Sequence, residues 1–379
     1  MIEVIVALLI FLLFLNGLYF HASIFVHLYS LYLVINYELE NLIVPTIFAI
    51  IINLIFLFFV RRKLTEHKLK IFNNPYFFQN KNYNFKLFYI VIIITVASIN
   101  WYNLHWFNLS NFVEARMEFN SSSSQLQRFI KFVFPAIIIA FVYKKKYTLF
   151  YLTSIAYVLA EGSKSSIIGV FGVLFFTNRY LIKDLIPEKI VKKVSKVSIA
   201  AFIFISPLIY TDFNFKDYLI SRFKGSEVNP YLKLNQYLNQ TTTNSYSDFI
   251  FNPFKIFYNS LLGSKEQIHT SAGNWLTSPN GYSQFEYLLR LYMEGLLING
   301  IPGIIFIYLL TYSVFLFILR LFESFKSNNL IFFTPLVYIE IINVTIRGKL
   351  SNSLTNFFIT ALFIIVLLYA QRKFTFKNI

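Results

Sequence analysis

Apolar segments long enough to form membrane-spanning helices recur along almost the whole chain. The hydrocarbon core of a bilayer requires about 20 mostly apolar residues in helical form. The chain of 379 residues is 56% hydrophobic and only 14% charged, which is typical of polytopic helical membrane proteins. About eleven candidate spans lie at 3–19, 21–37, 42–60, 87–104, 129–143, 147–161, 164–180, 197–212, 288–319, 330–346 and 355–371. We therefore predict an all-α polytopic integral membrane protein with about 11 transmembrane helices, and with 10 to 12 as the range.

The basic residues predict which side of the membrane each connection faces. Of the 34 lysines and arginines, 21 fall in five connections, at residues 61–86, 144–146, 178–197, 320–326 and 371–377. Basic loops face the cytoplasm, so we expect the C-terminus inside and the N-terminus outside. The same rule accounts for the net charge of +16 without a nucleic-acid partner. The first 20 residues carry an acid where a signal peptide is basic, and we predict that they remain as the first span.

Three regions are predicted to face outward: a loop at about 106–128, a long loop at 212–287 and a short turn at 347–354. The chain then divides into N-terminal transmembrane helices (1–211), a large extracytoplasmic loop with short amphipathic helices (212–287) and C-terminal transmembrane helices (288–379). Within the long loop, residues 247–263 combine large apolar side chains with Asp248 and Lys255. This pattern fits either a helix on the membrane surface or a small core belonging to the loop itself.

Cations beside the predicted outer face are the candidate binding residues, because a charge next to hydrocarbon is costly and usually has a partner or a function. Guanidinium groups bind phosphate and diphosphate through paired hydrogen bonds. Several cations that converge from separate helices would form a site for a lipid-linked diphosphate. The candidates are Arg116, Lys164, Arg222, Arg290 and Arg347, while Arg128 fits better as an anchor at the membrane surface. Each candidate also fits such an anchoring role.

Lys164 belongs to the stretch AEGSKSS, which interrupts an apolar run. About 32 residues separate Lys146 from Arg179, enough for two short helices joined by an outward turn. Lys164 would then face the same side as the other candidate cations. Pairing with Glu161, three residues earlier, is the alternative role.

Two residues are candidates for accepting a proton, His269 and Glu286, because histidine and carboxylate side chains suit general base catalysis. Glu286, Arg290 and Glu294 follow one another at intervals of four, which places them on one side of a helix. That spacing fits a catalytic group or a structural ladder of ion pairs equally well. The chain has no cysteine, which excludes thiol catalysis and cysteine-bound metals. It also lacks the motifs of ATPases, zinc proteases, serine hydrolases and metal-dependent nucleotide-sugar transferases, which are GxxxxGK[ST], HExxH, GxSxG, and DxD or DDxxD. We therefore expect no metal and no cofactor.

Three stretches and the overall layout resemble the Wzy-type polymerases of O-antigen and capsule repeat units, which are relatives of the O-antigen ligases. AEGSKSSIIGVFGVLFF is similar to the family's turn of small and basic residues before an apolar helix, with Lys164 where arginine is more usual. ARMEF resembles the family's outward loop with an arginine. SPNGYSQFEYLLRLYMEGLLINGIPGIIFIYLL resembles the end of its large loop, in which Gly300 and Gly303 would allow close helix packing.

The resemblance implies a GT-C-like glycosyltransferase that acts on polyprenyl-diphosphate-linked glycans. A sugar hydroxyl of one lipid-linked repeat unit would attack the anomeric carbon of the growing glycan, and undecaprenyl diphosphate would leave. On this basis Glu286, His269 and Arg290 would be catalytic, and Arg116, Lys164, Arg222 and Arg347 would bind substrate. The implied setting is the outer face of the bacterial cytoplasmic (inner) membrane, with membrane lipid, a flippase and a chain-length regulator as partners.

Three other functions remain open from the residues. An O-antigen ligase would share the topology of a polymerase. A flippase or transporter of lipid-linked oligosaccharide would usually show two related halves and short loops, whereas this chain has one loop of about 75 residues and no evident repeat. A scaffold protein of an export complex would tolerate the loss of the candidate arginines.

Overall fold

The computed structural model describes residues 2–68, 125–161, 168–182, 185–186, 228–239, 290–324 and 332–348. Every regular element in these ranges is a helix, and the ranges contain no strand. The prediction of an all-α fold is therefore confirmed for this part of the chain. The helices are α1 (Ile2–Leu15), α2 (Tyr19–Asn36), α3 (Glu40–His67), α4 (Gln125–Tyr143), α5 (Tyr147–Glu161), α6 (Val173–Tyr180, preceded by the π-helical turn Ile168–Gly172), α7 (Asn229–Asn239), α8 (Leu291–Ser324) and α9 (Thr334–Arg347).

Eight of the eleven predicted segments coincide with described helices, as α2 does with the prediction at 21–37 and α5 with that at 147–161. The segments at 87–104, 197–212 and 355–371 lie outside the described residues. Among the described helices, α3 and α8 are long and apolar enough to cross a membrane. The number of spans and the GT-C-like arrangement remain predictions.

The surface of α3 is unusual for a protein in water. Only 39% of its most apolar window is buried, and the exposed remainder is apolar too: Val44 is 64% exposed and Phe58 is 63% exposed. A helix that is apolar all round belongs in the interior of a large protein or in a membrane. Since α3 is not enclosed by the described helices, its exposed apolar face fits a membrane-spanning helix.

Four helices form the centre of the described structure. Helices α2 and α3 make an antiparallel hairpin around Tyr37, Glu38 and Leu39, and α9 packs on α2 while α8 packs on α3. At the other end of α2 the chain turns through Gly17 at a φ of +69°. A Cβ there would collide with the backbone of Phe176 in α6, so glycine serves both the turn and the close approach.

Helices α4 and α5 pack as a second antiparallel hairpin. Their connection is the basic triplet Lys144, Lys145 and Lys146, with Lys145 at a φ of +56°. Partial burial, together with the neighbouring charge of Lys146, lowers the pKa of Lys144. This exposed basic turn is one of the connections that the sequence predicts to be cytoplasmic.

Helix α8 differs from the prediction of one continuous span at 288–319. Asn299 and Gly300 have non-helical backbone angles, and Gly300 has a φ of +62°. The break divides α8 into a short arm (291–298) and a long arm (301–324). The short arm rises only about 12 Å, which is less than half of a bilayer core. Gly300 supplies the turn, because that φ strains any residue with a Cβ.

The two arms of α8 fold against each other beside this turn. A Cβ at Gly295 would lie 2.7 Å from the Gly303 carbonyl oxygen, and a Cβ at Gly303 would collide with the Gly295 carbonyl oxygen. In a straight helix residues eight apart are separated by about 12 Å along the axis. Gly303 thus packs closely, as expected, but its partner is Gly295 of the same helix. Gly300 does not pack closely, because a Cβ there would meet no atom within 4 Å.

Candidate functional site

Seven polar residues meet inside the bundle formed by α2, α3, α8 and α9, and we call them the buried polar cluster. They are Ser23, His27, Thr46, Asn53, Tyr292, Tyr308 and Thr345, and each is at most 3% exposed. Asn53 lies near the midpoint of α3, 13 positions after Glu40 and 14 before His67. Asn53 therefore lies in the middle of the 28-residue apolar helix α3, where polar groups are costly unless they are hydrogen-bonded.

A directed chain of hydrogen bonds links three helices through this cluster. The Asn53 amide donates from Nδ2 to Ser23 Oγ at 3.1 Å, and Ser23 Oγ lies 2.8 Å from Thr345 Oγ1. The Thr345 hydroxyl donates its proton to the Ile342 carbonyl at 2.7 Å. Because a hydroxyl has only one proton, Ser23 must be the donor to Thr345. The chain runs from α3 through α2 to the last turn of α9.

His27 is fixed from both sides of its ring. Its Nδ1 lies 2.8 Å from the Ser23 carbonyl oxygen, which can only accept, so Nδ1 is the donor. Its Nε2 lies 3.2 Å from the Tyr308 hydroxyl on α8. The ring is also 6.0 Å from that of Tyr292, measured between centroids. His27 thus connects α2 with both arms of α8.

The loop helix α7 covers one end of the cluster. The hydroxyl of Tyr292 lies 3.3 Å from the hydroxyl of Thr46. Tyr292 also interacts electrostatically with Tyr231 of α7. Asn41, near the start of α3, donates a hydrogen bond of 2.6 Å to Asn239 at the end of α7. Helix α7, which belongs to the segment predicted to be the extracytoplasmic loop, lies against the end of α3 that is distant from Arg61 and Arg62.

Arg290 is a buried cation beside the cluster. It is 6% exposed, and its Nη1 donates to the Ile346 carbonyl of α9 at 2.7 Å. Its own carbonyl accepts from the Met293 and Glu294 amides, so the short arm of α8 begins directly after this residue. Its guanidinium is within electrostatic range of His27 and Tyr292. Glu294 follows one turn later and is 1% exposed.

The Arg290 contact involves the helix end that carries a second candidate cation, because Ile346 immediately precedes Arg347. Arg347 is exposed and is the last residue of α9, which ends as Gly348 adopts a φ of +63°. The final carbonyls of a helix have no helical partner and carry partial negative charge. Both guanidiniums therefore lie where the helix dipole favours positive charge. Planar guanidiniums so placed can also donate to the oxygen atoms of a diphosphate.

Two of the seven predicted site residues, Arg290 and Arg347, are among the described residues, and the structure places them at one helix end. Arg116, Lys164, Arg222, His269 and Glu286 lie outside the described residues. The sequence reasoning did not identify Ser23, His27 or Asn53. The signal was present, since a histidine and an asparagine within apolar helices mark positions where a polar group must have a partner.

The described ranges contain no group of three or more His, Asp or Glu side chains suited to hold a metal ion. The expectation of a metal-independent reaction stays a prediction. Comparison with family models, with curated proteins and with solved structures gives no match for this chain.

Proposed function

We propose that this protein polymerises polyprenyl-diphosphate-linked oligosaccharide repeat units at the outer face of the bacterial cytoplasmic membrane. The observation that carries the proposal is the approach of Arg290 to the end of α9, beside Arg347. Two guanidiniums from separate helices can neutralise a diphosphate as it leaves, without a metal ion. Preorganised charge of this kind is usually the largest contribution to such a reaction.

In the proposed reaction, a hydroxyl oxygen of the incoming lipid-linked repeat unit forms a bond with the anomeric carbon of the growing glycan. The bond between that carbon and the diphosphate oxygen breaks, and undecaprenyl diphosphate departs with both bonding electrons. The hydroxyl proton passes to a general base, for which Glu286 and His269 are the candidates. Arg116, Lys164 and Arg222 are proposed to hold the diphosphate or the glycan.

The surroundings of the site support a substrate that is partly lipid. The exposed faces of α3 and of the long arm of α8 are apolar, with Leu309 61% exposed and Phe317 58% exposed. A polyprenyl chain could lie along such a face while its diphosphate reaches Arg347. Helix α7 lies at the predicted outer end of α3, where a glycan would be accommodated.

The test is a polymerisation assay with the full chain in lipid nanodiscs. The substrate is the lipid-linked repeat unit extracted from the source cells, and the readout is a ladder of longer glycans on a gel. Arg290→Ala should lower the rate about 10²–10³-fold, by analogy with the loss of one charge-stabilising donor. The matched control is Arg320→Ala, which removes an exposed arginine from the other end of α8. Absence of a ladder from wild type, or a full ladder from Arg290→Ala, would end the proposal.

A flippase of lipid-linked oligosaccharide is the second candidate, and the break in α8 favours it. Transporters often place broken helices and polar side chains near the membrane midplane, at the substrate site. The short arm of α8 and the buried polar cluster have this character. Proteoliposomes with a fluorescent lipid-linked saccharide separate the two functions: a flippase moves the lipid between leaflets and makes no ladder.

A further inference from the structure

We propose that Ser23 is a positioning residue, which fixes Arg290 through the last turn of α9. The inference deepens the proposed function and rests on it. Ser23 does not contact Arg290. It contacts Thr345, and the next residue in the chain provides the carbonyl to which Arg290 donates.

The path has three steps, each of them short. Asn53 donates to Ser23 at 3.1 Å, Ser23 donates to Thr345 at 2.8 Å, and Arg290 donates to the Ile346 carbonyl at 2.7 Å. Thr345 and Ile346 are consecutive residues in one helical turn. A shift of the Thr345 side chain therefore moves the acceptor of the Arg290 hydrogen bond.

The end of α9 needs such a fixed point. The last four carbonyls of a helix lack intrahelical partners, so a final turn frays unless side chains hold it. Here the helix ends at Arg347, and Gly348 leaves it with a φ of +63°. The hydroxyl of Ser23 holds the turn from α2, and Arg290 holds it from α8.

Ser23 is the junction of this path. Its hydroxyl accepts from Asn53 and donates to Thr345, while its carbonyl accepts from His27 Nδ1. Ser23→Ala therefore removes both side-chain bonds but keeps the bond to His27. The Asn53 amide then loses its acceptor and the Thr345 hydroxyl loses its donor, although Thr345 keeps its bond to the Ile342 carbonyl. Buried polar groups that lose a partner move or recruit water.

Ser30 provides a matched control. It lies two turns after Ser23 on the same helix, and both residues are 0% exposed. Its hydroxyl donates within α2, to the Val26 carbonyl at 2.9 Å. Ser30→Ala thus removes a buried serine hydroxyl of the same helix without touching the path to α9.

The kinetic test compares full-length variants in nanodiscs with the polymerisation assay. Ser23→Ala and Thr345→Val should lower kcat about 10–100-fold with KM within about twofold of wild type, as expected for a misplaced charge. Thr345→Ser keeps the hydroxyl and should therefore retain activity, unlike Thr345→Val. Ser30→Ala should have the activity of wild type. In an Arg290→Ala background, Ser23→Ala should cause no further loss. Equal loss in Ser23→Ala and Ser30→Ala, or full additivity with Arg290→Ala, would overturn the proposal.

A second readout does not depend on activity. Hydrogen–deuterium exchange of the peptide covering 344–348 should be about tenfold faster in Ser23→Ala than in wild type or Ser30→Ala. Unchanged exchange in Ser23→Ala would overturn the positioning role, even if the kinetics were impaired. If wild type makes no ladder while exchange responds as expected, the proposed function fails and the mechanical link from Ser23 to α9 stands.

Discussion

Gly295 and Gly303 pack backbone against backbone across the turn at Asn299 and Gly300. Neither position has room for a Cβ, since the carbonyl oxygen of each glycine lies in the space that a Cβ on the other would occupy. The contact joins the short arm of α8, which begins directly after Arg290, to the long arm. The contact between the two glycines therefore fixes the position of Arg290 relative to the long arm of α8.

Substitution of Gly303 tests this hairpin. Gly303→Val should lower stability by about 1–3 kcal/mol, the usual range for overpacking, because the backbone of the short arm would have to move. Thermal unfolding of detergent-purified protein, followed by size-exclusion fluorescence, measures the change. Ser313→Ala, at an exposed position of the same arm, should have little effect. Equal melting temperatures for Gly303→Val and Ser313→Ala would show that the arms do not pack in this way.

Arg290→Lys tests whether charge alone is sufficient. Lysine keeps the positive charge but loses the planar fork that can donate to a carbonyl and a phosphate together. We expect activity to fall at least about tenfold, as for the loss of a charge-assisted hydrogen bond. The polymerisation rate is the measurement, with the amount of folded protein as the control. Activity equal to wild type would show that a positive charge at position 290 is sufficient and that the planar guanidinium is not required.

Lys164 lies outside the described residues, and its predicted role is still directly testable. Lys164→Ala should abolish polymer while the protein remains inserted, because a substrate-facing cation would be lost. Lys164→Arg should retain activity, since it keeps the charge. The comparison uses polymer extracted from cells and membrane-fraction immunoblots. Full activity in both variants would show that Lys164 is only part of the turn and does not bind substrate.

A charge on the exposed face of α3 tests whether lipid covers it. Ile51 is 50% exposed near the middle of this helix. Ile51→Lys should raise the apparent free energy of insertion by about 3–4 kcal/mol, since a favourable isoleucine is replaced by an unfavourable lysine. A glycosylation reporter fused to the segment measures insertion, and Lys63→Ala, near the basic end, is the control. Unchanged insertion for Ile51→Lys would argue against a span at α3.

The absence of cysteine from this chain makes its topology measurable with single labels. Gln236→Cys in α7 and Lys145→Cys between α4 and α5 are both at exposed positions. We expect an impermeant maleimide to label Gln236→Cys in intact spheroplasts and to label Lys145→Cys only after lysis. The reverse pattern would invert the predicted orientation, and labelling of both in intact spheroplasts would place them on one side.

The bounds of some helices were predictable because hydropathy is a local property, although α3 extends seven residues beyond its predicted end at residue 60. Helix α2 is predicted at 21–37 and observed at Tyr19–Asn36, and the turn between α4 and α5 is predicted to the residue. The break in α8 was not predictable from that signal. Asn299 and Gly300 lie in a run that stays apolar on average, and their backbone angles depend on the contact between Gly295 and Gly303.

The site was predictable only in part, for a similar reason. Arg290 attracted attention as a charge at the edge of an apolar segment. The residues that hold its partner are uncharged, and Ser23 lies 322 positions from Thr345 in the sequence. No local pattern indicates such a pairing. Asn53 and His27 could have been chosen as polar residues inside apolar helices, although their partners could not.

The same separation of 322 positions has a consequence for biosynthesis. At about 5–20 residues per second, a ribosome needs on the order of tens of seconds to reach Thr345 after it has made Ser23. During that interval the nascent α2–α3 hairpin can form the bond between Asn53 and Ser23, but the tyrosine that His27 will contact has not yet been translated. Until then the polar groups of α2 and α3 have only part of their hydrogen bonds, and the last helices complete these bonds when they pack.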